Sequence, residues 1–249
     1  MDGNSVPEDW YQKSFGTLYP QIYAHRTVEA ARGEAAFACY ALGLERGDVV
    51  LDLCCGNGRH MSAMMRAGMR MIGLDQSIEL LAAARRTTGE SARLARGDMR
   101  GLPFPPVFDA VTNFFTSFGY FSDDAENARV LEQIASVLRP TGRFFIDHIN
   151  KYNLEANLEP ESTRRVRDFE IIERRRLDND NRRINKQSTV YRAGTRLDDF
   201  FESVRLYTPE EFMTMLHDAG LEAEALYGDY DGSAMTDAQP RMIVVGRKR

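Results

Sequence analysis

The chemistry readable first lies in three acidic residues and a pair of glycines. In VVLDLCCGNGRH, residues 49–60, an apolar run carrying Asp52 passes through Cys54 into Gly56-Asn57-Gly58. Glycine has no Cβ and tolerates positive φ, so main chain at such a turn can approach a ligand closely. Asp75 stands 23 residues beyond Asp52 at the end of the next apolar run, and Asp98 ends the one after that. A carboxylate offers paired acceptors that match the paired hydroxyls of a ribose, which makes Asp75 a candidate ribose clamp and the ligand nucleotide-like. A dinucleotide fingerprint demands a third glycine three residues after the second, whereas Gly58 is followed by Arg59, His60 and Met61, so NAD is disfavoured. Asp52 is read either as a structural tie for the glycine turn or as a direct ligand contact.

The elements that must position these residues alternate. Helices are expected over 27–42 (ended by Gly43), 59–67 (ended by Gly68), 77–87 with Ser77 as N-cap, and 124–138. Strands are expected over 48–53, 69–74, 92–96, 108–115 and 143–149. Strands alternating with helices imply a parallel sheet covered on both faces, with ligands beyond the carboxyl ends of the strands. After Ile149 the rhythm changes. Three segments between Val166 and Tyr207, rich in β-branched and aromatic residues, read as an antiparallel meander. The α/β pattern resumes at Thr208-Pro209-Glu210-Glu211, a capping box with proline at the first helical position, followed by strands near 221–227 and 241–245. The meander is therefore an insertion, with His148 just ahead of it beside Asp147 and Asn150, placed either as a substrate contact or as a structural histidine.

The chain has 249 residues, 43% of them hydrophobic and 28% charged, and a net charge of −5. That is an ordinary globular composition, and the acidic balance argues for a small-molecule partner and against nucleic acid. The insertion departs from it: Arg164 to Arg192 holds ten basic and five acidic residues, read as the solvated face of exposed strands or, alternatively, an anion site. Cysteines occur only at 39, 54 and 55, which is not a disulfide framework and suits a reducing compartment. No metal-type Cys/His spacing appears, and 178–181 lacks the glycine and distal glutamate of a calcium loop. With no signal-like opening and no run of membrane-spanning length, the expectation is a cytoplasmic protein that engages no membrane. Oligomeric state is not readable. Trp10, Tyr11, Phe15, Tyr19 and Tyr23 recur at near-helical spacing, as a helix packed on the domain or a lid over the site.

Taken together, LDLCCGNGRH, GLDQS, ARGDM, FTSFGYF and VLRPTGRFFIDHIN resemble the successive motifs of class I S-adenosylmethionine-dependent methyltransferases. The resemblance covers residues 48–149 and the closing helix and strands. More narrowly, the chain is similar to bacterial small-molecule N-methyltransferases of the sugar-amine and glycine type. One departure is Cys54, where the family has its first glycine. The resemblance implies a Rossmann-like, seven-stranded, mostly parallel sheet with helices on both faces and an antiparallel insertion after strand five. It divides the chain into a lid over 1–26, a cofactor-binding core over 27–150 and 208–249, and an inserted substrate lid over 151–207.

It also implies residue roles. Cys54, Gly56 and Asn57 would bring backbone to the methionyl part of the cofactor, Asp75 would hold the ribose, and Gln76 would lie on the adenine face. Asp98 would accept from the adenine amino group, the Met99 amide would donate to the ring, and Asn113 would meet the methionyl ammonium. Tyr11 and Tyr19 would reach the cofactor from the lid, with Arg26 pairing its carboxylate. The implied activity is methyl transfer to a nitrogen or oxygen of a small molecule, and the meander is expected to roof an acceptor pocket floored by residues 114–120 and His148, with Phe118, Tyr120 and Tyr207 orienting the acceptor. The rivals are a protein or RNA methyltransferase and a non-catalytic cofactor-binding regulator.

Overall fold

The computed structural model describes residues 6–249; residues 1–5, where the expected lid begins, lie outside it. The aromatic stripe is not one helix. It forms two single turns, α1 (Trp10–Lys13) and α2 (Tyr19–Ile22), with an irregular stretch between them and Pro20 in the first turn of α2. Helix α3 (Val28–Leu42) follows, opened by the Thr27 side chain and ended by left-handed Gly43.

The core then runs β1 (Val49–Leu53), α4 (Arg59–Ala67), β2 (Arg70–Asp75), α5 (Ile78–Thr88), β3 (Arg93–Arg96), β4 (Phe108–Asn113), α6 (Asp124–Val137) and β5 (Leu138–Ile149). A short helix α7 (Lys151–Ala156) leads into β6 (Glu161–Val166), β7 (Phe169–Leu177), β8 (Arg183–Arg192) and β9 (Thr195–Arg205), and α8 (Pro209–Asp218), β10 (Leu221–Tyr227) and β11 (Arg241–Lys248) complete the chain. The capping box at α8 is formed as expected: the Thr208 hydroxyl accepts from Glu211 N, and the Glu211 carboxylate accepts from Thr208 N.

The seven-stranded sheet has the order β10-β11-β5-β4-β1-β2-β3, parallel from β5 to β3 with β11 antiparallel to both its neighbours. The order reverses between β1 and β4, which opens a crevice at their carboxyl ends. Strand β4 stops two residues earlier than its apolar run, because Phe115 and Thr116 both take positive φ and turn the chain off the sheet. Apolar side chains from β1, β4, β5 and β11 fill both faces of the sheet.

The insertion is a four-stranded antiparallel sheet, β6-β7-β8-β9. Its first strand, ESTRRV, was not foreseen, since a half-exposed edge carries no apolar alternation to find. One face of this sheet packs against the lid: Phe169, Ile171, Val190 and Phe200 enclose Ile22 and Tyr23. Ser14 Oγ donates to Phe201 O across the same seam. Behind it, Lys186 pairs with Glu202 and donates to Tyr23 Oη. The basic strip is largely matched within itself, with Arg164–Glu173, Arg165–Glu170, Arg174–Glu161 and Arg192–Asp168 pairs. No described helix is long and apolar enough to cross a membrane.

Candidate active site

A cleft occupies the crevice, lined by residues of the glycine turn, the ends of β2 and β4, and the N-terminal segment, the place where sheets of this topology take their ligands. Cys54, Gly56 and Gly58 all have positive φ, so the turn from β1 into α4 is left-handed at three points, one of them a non-glycine. Gly58 is required for a second reason. A Cβ there would lie 3.1 Å from the Ala84 and Thr88 side chains, so α4 could not approach α5. The Cys54 thiol instead lies 3.6 Å from the Met99 sulfur, filling the gap between the turn and the residue after Asp98.

Asp75 ends β2 and is nearly buried. Its carboxylate accepts from Gly56 N and Ser77 N, each at 2.9 Å, which couples the second strand to the glycine turn. Burial raises its pKa, and those amide bonds pull against the shift. Each oxygen keeps a second acceptor site, so the clamp geometry remains usable. Gln76 Nε2 donates to Tyr11 O, and Ser77 Oγ donates to Phe15 O, so this loop also pins the lid. Asp98 lines the cavity but is held by Arg100, whose guanidinium donates to both its oxygens. Burial opposes that pairing, yet the net effect is a lowered pKa.

Two carboxyl-type oxygens in this region lack a partner. Asp52 is 2% exposed; its Oδ1 accepts from Thr112 Oγ1, and its Oδ2 has no partner. Burial raises its pKa to about 7, with the Thr112 bond opposing. Asn113 spends its amide nitrogen on Leu53 O and leaves Oδ1 unpartnered. Asn113 does not line the cavity, whereas Asp52 does. Across the site, Arg26 lies 4.2 Å over the Tyr23 ring and donates to Tyr19 Oη. Arg26 has no carboxylate partner among the described residues and Asp52 keeps one unpartnered oxygen, and both line the cavity; these are the kinds of group that the two charged ends of an α-amino acid pair with. The donor set fits the methionyl end of S-adenosylmethionine.

The expected acceptor residues divide. Tyr120 lines the cavity and packs on Trp10 at 4.7 Å and on Phe15 in a stacked arrangement. His148 does not reach it. That ring is fully buried between Phe118, Tyr207 and Phe212, with Nε2 donating to Arg205 O at 3.0 Å. Burial lowers its pKa to about 3. Tyr207 is 1% exposed and donates to Asp124 Oδ1, joining the insertion to α6. Phe118, expected in the acceptor pocket, belongs to the same buried group. The cause is side-chain direction: at the end of β5, His148 points to the face covered by α8, away from the crevice.

The expected roof is corrected as well. No residue of the meander lines the cavity; the N-terminal turns cover it, and the meander backs them from outside. Tyr11, Tyr19 and Arg26 all line it.

The sequence reading gave no role to Arg59 or His60, both of which line the cavity, as does Phe115 from the expected pocket floor. His60 stacks on Phe114 at 4.0 Å and bonds Glu34 at 2.7 Å, while Arg59 shares the same carboxylate. Burial lowers the His60 pKa to about 4 despite Glu34. Its signal was available, because a histidine two residues beyond Gly58 sits in the first turn of α4, beside the glycine turn.

A methyltransferase domain model matches residues 50–142, the stretch from β1 into β5. Over 241 residues the chain is 30% identical to the cypemycin N-terminal methyltransferase of a Streptomyces species, a match spanning 91% of this chain and 97% of that protein. Among solved structures, the CcbJ methyltransferase of Streptomyces caelestis superposes with a TM-score of 0.80 at 19% identity, over 94% of this chain and 98% of that one. A sugar N-methyltransferase of Streptoalloteichus gives 0.70 at 22% identity, over 100% and 98%. With a 30% identical methyltransferase matched over 97% of its length and the methyltransferase domain model over the core, the chain belongs to the S-adenosylmethionine-dependent methyltransferase family and is an enzyme of that class.

Proposed function

We propose that the enzyme methylates an amine nitrogen of a small molecule. The observation that carries this reading is the aromatic wall of the cavity. It is built from Phe15, Tyr19, Phe115 and Tyr120, while the histidine expected to deprotonate a hydroxyl is sealed in the core. His60, the imidazole that does reach the cavity, has a pKa of about 4 and is a weak base. Such a site suits a nucleophile that brings its own lone pair.

S-adenosylmethionine supplies a methyl group on a sulfonium. On this reading Asp75 would hold the ribose hydroxyls, and Asp98 and the Met99 amide would read the adenine, with Gln76 against its face. Arg26 and Asp52 would grip the carboxylate and ammonium, with Gly56 and Asn57 giving them backbone access. When bound, the sulfonium would supply an electrophilic methyl to the amine lone pair, its sulfur would take back the C–S pair, and the product ammonium would lose its proton on release to water. The protein's part is alignment and exclusion of water by the aromatic lid. Positive charge is carried from sulfur to nitrogen, and Tyr19 and Tyr120, kept un-ionised by burial, present neutral faces to it.

The matched relative's name supports a second reading, the terminal amine of a peptide. The paired arginines of the insertion and the acidic net charge support either of these over a nucleic acid. A panel with labelled cofactor decides: an amino sugar, a dipeptide with a free N-terminus, and hydroxyl acceptors of similar size. Label is expected in an amine. Label only in an ether would overturn the reading, and transfer to the dipeptide alone would move it to peptides.

A further inference from the structure

Phe115 and Thr116, which follow β4, sit at φ +57° and +59°, two consecutive non-glycine residues in the left-handed region. For a β-branched threonine this is a rare conformation, and it persists only where the surroundings hold it. One residue does so. The Asp147 carboxylate in β5 accepts from Phe115 N at 2.7 Å, and its main-chain oxygen accepts from Thr116 N at 2.8 Å. Asp147 is 0% exposed and is itself fixed by the Arg241 guanidinium on β11 and the Tyr230 hydroxyl. Arg241 also donates to Thr116 Oγ1, at 3.0 Å.

Both rings at the turn line the cavity: Phe114, 4% exposed, stacks on His60, and the more exposed Phe115 lies with the Arg59 guanidinium 4.3 Å over its ring and Arg26 at 5.4 Å. We propose that Asp147 is a positioning residue for methyl transfer: it clamps the strained Phe115–Thr116 pair so that the Phe115 ring forms the wall against which the acceptor is aligned. This rests on the acceptor lying beside Phe115, as in the amine reading above. Asp147 touches neither cofactor nor acceptor and acts through the backbone it holds.

The test uses D147N, T116G and the double variant D147N/T116G. In D147N an amide replaces the carboxylate, leaving one acceptor oxygen for Phe115 N, the Tyr230 hydroxyl and Arg241. Turnover of an amine acceptor at saturating substrate should fall about tenfold or more, while KM for the cofactor stays within about twofold. Glycine at 116 takes positive φ without a clamp, so the double variant should recover most of the lost turnover. A second readout needs no acceptor. With 4-fluorophenylalanine incorporated and the Phe115 resonance assigned by F115L, the S-adenosylhomocysteine complex should show one sharp line in the wild type. That line should split or broaden in D147N and return in the double variant. Unchanged turnover and line in D147N would overturn the proposal. So would a fall in Tm and turnover that T116G leaves uncorrected, the mark of a residue that only stabilises the fold. If the wild type methylates no amine, the proposed function fails by itself, and the fluorine line alone decides the role of Asp147.

Discussion

Asp52 and Asp75 are both strand-borne carboxylates at the cavity, yet their surroundings give them opposite tasks. Asp75 is anchored by two backbone amides, so its substitution removes ribose contacts and loosens the glycine turn together. Asp75→Ala should cost about 2–4 kcal/mol of cofactor affinity by calorimetry, and an unchanged affinity would remove it from the site. Asp52 instead has an idle oxygen and a pKa raised by burial from 3.8 to about 7. Because the folded value is the higher one, its contribution to stability is full below about pH 4 and is lost as pH rises to about 7. A bound ammonium favours the carboxylate, so cofactor binding at pH 6 should release a proton. Calorimetry in two buffers of different ionisation enthalpy measures it. Asp52→Asn should abolish that release and raise ligand-free stability at pH 8 by about 1–3 kcal/mol. His148 belongs to the core by the same reasoning: already neutral, with a pKa of about 3, it has no proton to lose near neutrality. His148→Ala should lower stability by about 2–4 kcal/mol through the space it empties, with turnover little changed and no recovery at high pH.

At the scale of elements, the two N-terminal turns connect what the chain keeps apart. Trp10 is 2% exposed against Tyr120 on the core side, and Ile22 is 0% exposed against the inserted sheet. Removing everything before Thr27, which by sequence alone should leave a folded protein with weak cofactor binding, would bare the apolar face made by Phe169, Ile171, Val190 and Phe200. A point substitution is the cleaner probe. Trp10→Ala should cost about 3–5 kcal/mol in denaturant unfolding, and cofactor affinity should fall with it because Tyr11 and Phe15 lose their backing. Retained stability would mean that the lid contributes nothing to the folded core. The insertion serves the site indirectly, as the support of a lid that would otherwise have water on both faces.

For the whole molecule, the cavity lies between the core and the N-terminal turns, and the insertion backs those turns from outside. Cofactor at a hundred times its Kd should add about 2.7 kcal/mol, equivalent to about 5–10 °C in Tm for a chain of this length. Hydrogen exchange should slow in two places at once, the glycine turn and residues 10–26. Slowing confined to the turn would leave the lid as packing alone.

Much of this was legible in the sequence because it depends on local rules. The boundaries of α4, with glycine before and after it, and the capping box of α8 follow from which residues tolerate left-handed backbone and which can accept from a free amide. The strand end at Asp75 and the position of Asp98 two residues beyond β3, and with them the cofactor class, follow from the period of apolar residues and from the rule that such sheets bind ligands at their carboxyl ends. What needed the tertiary structure was direction and company. Whether His148 faces the crevice or α8 depends on side-chain orientation at the end of β5 and on which helix covers that face. The aromatic stripe reads as one helix until Pro20 and the contacts of Trp10 and Ile22 split it into two turns. The strained pair at Phe115 and Thr116 has no signature in its own residues, because the aspartate that holds it lies 32 positions away, on a strand that only the folded sheet brings alongside.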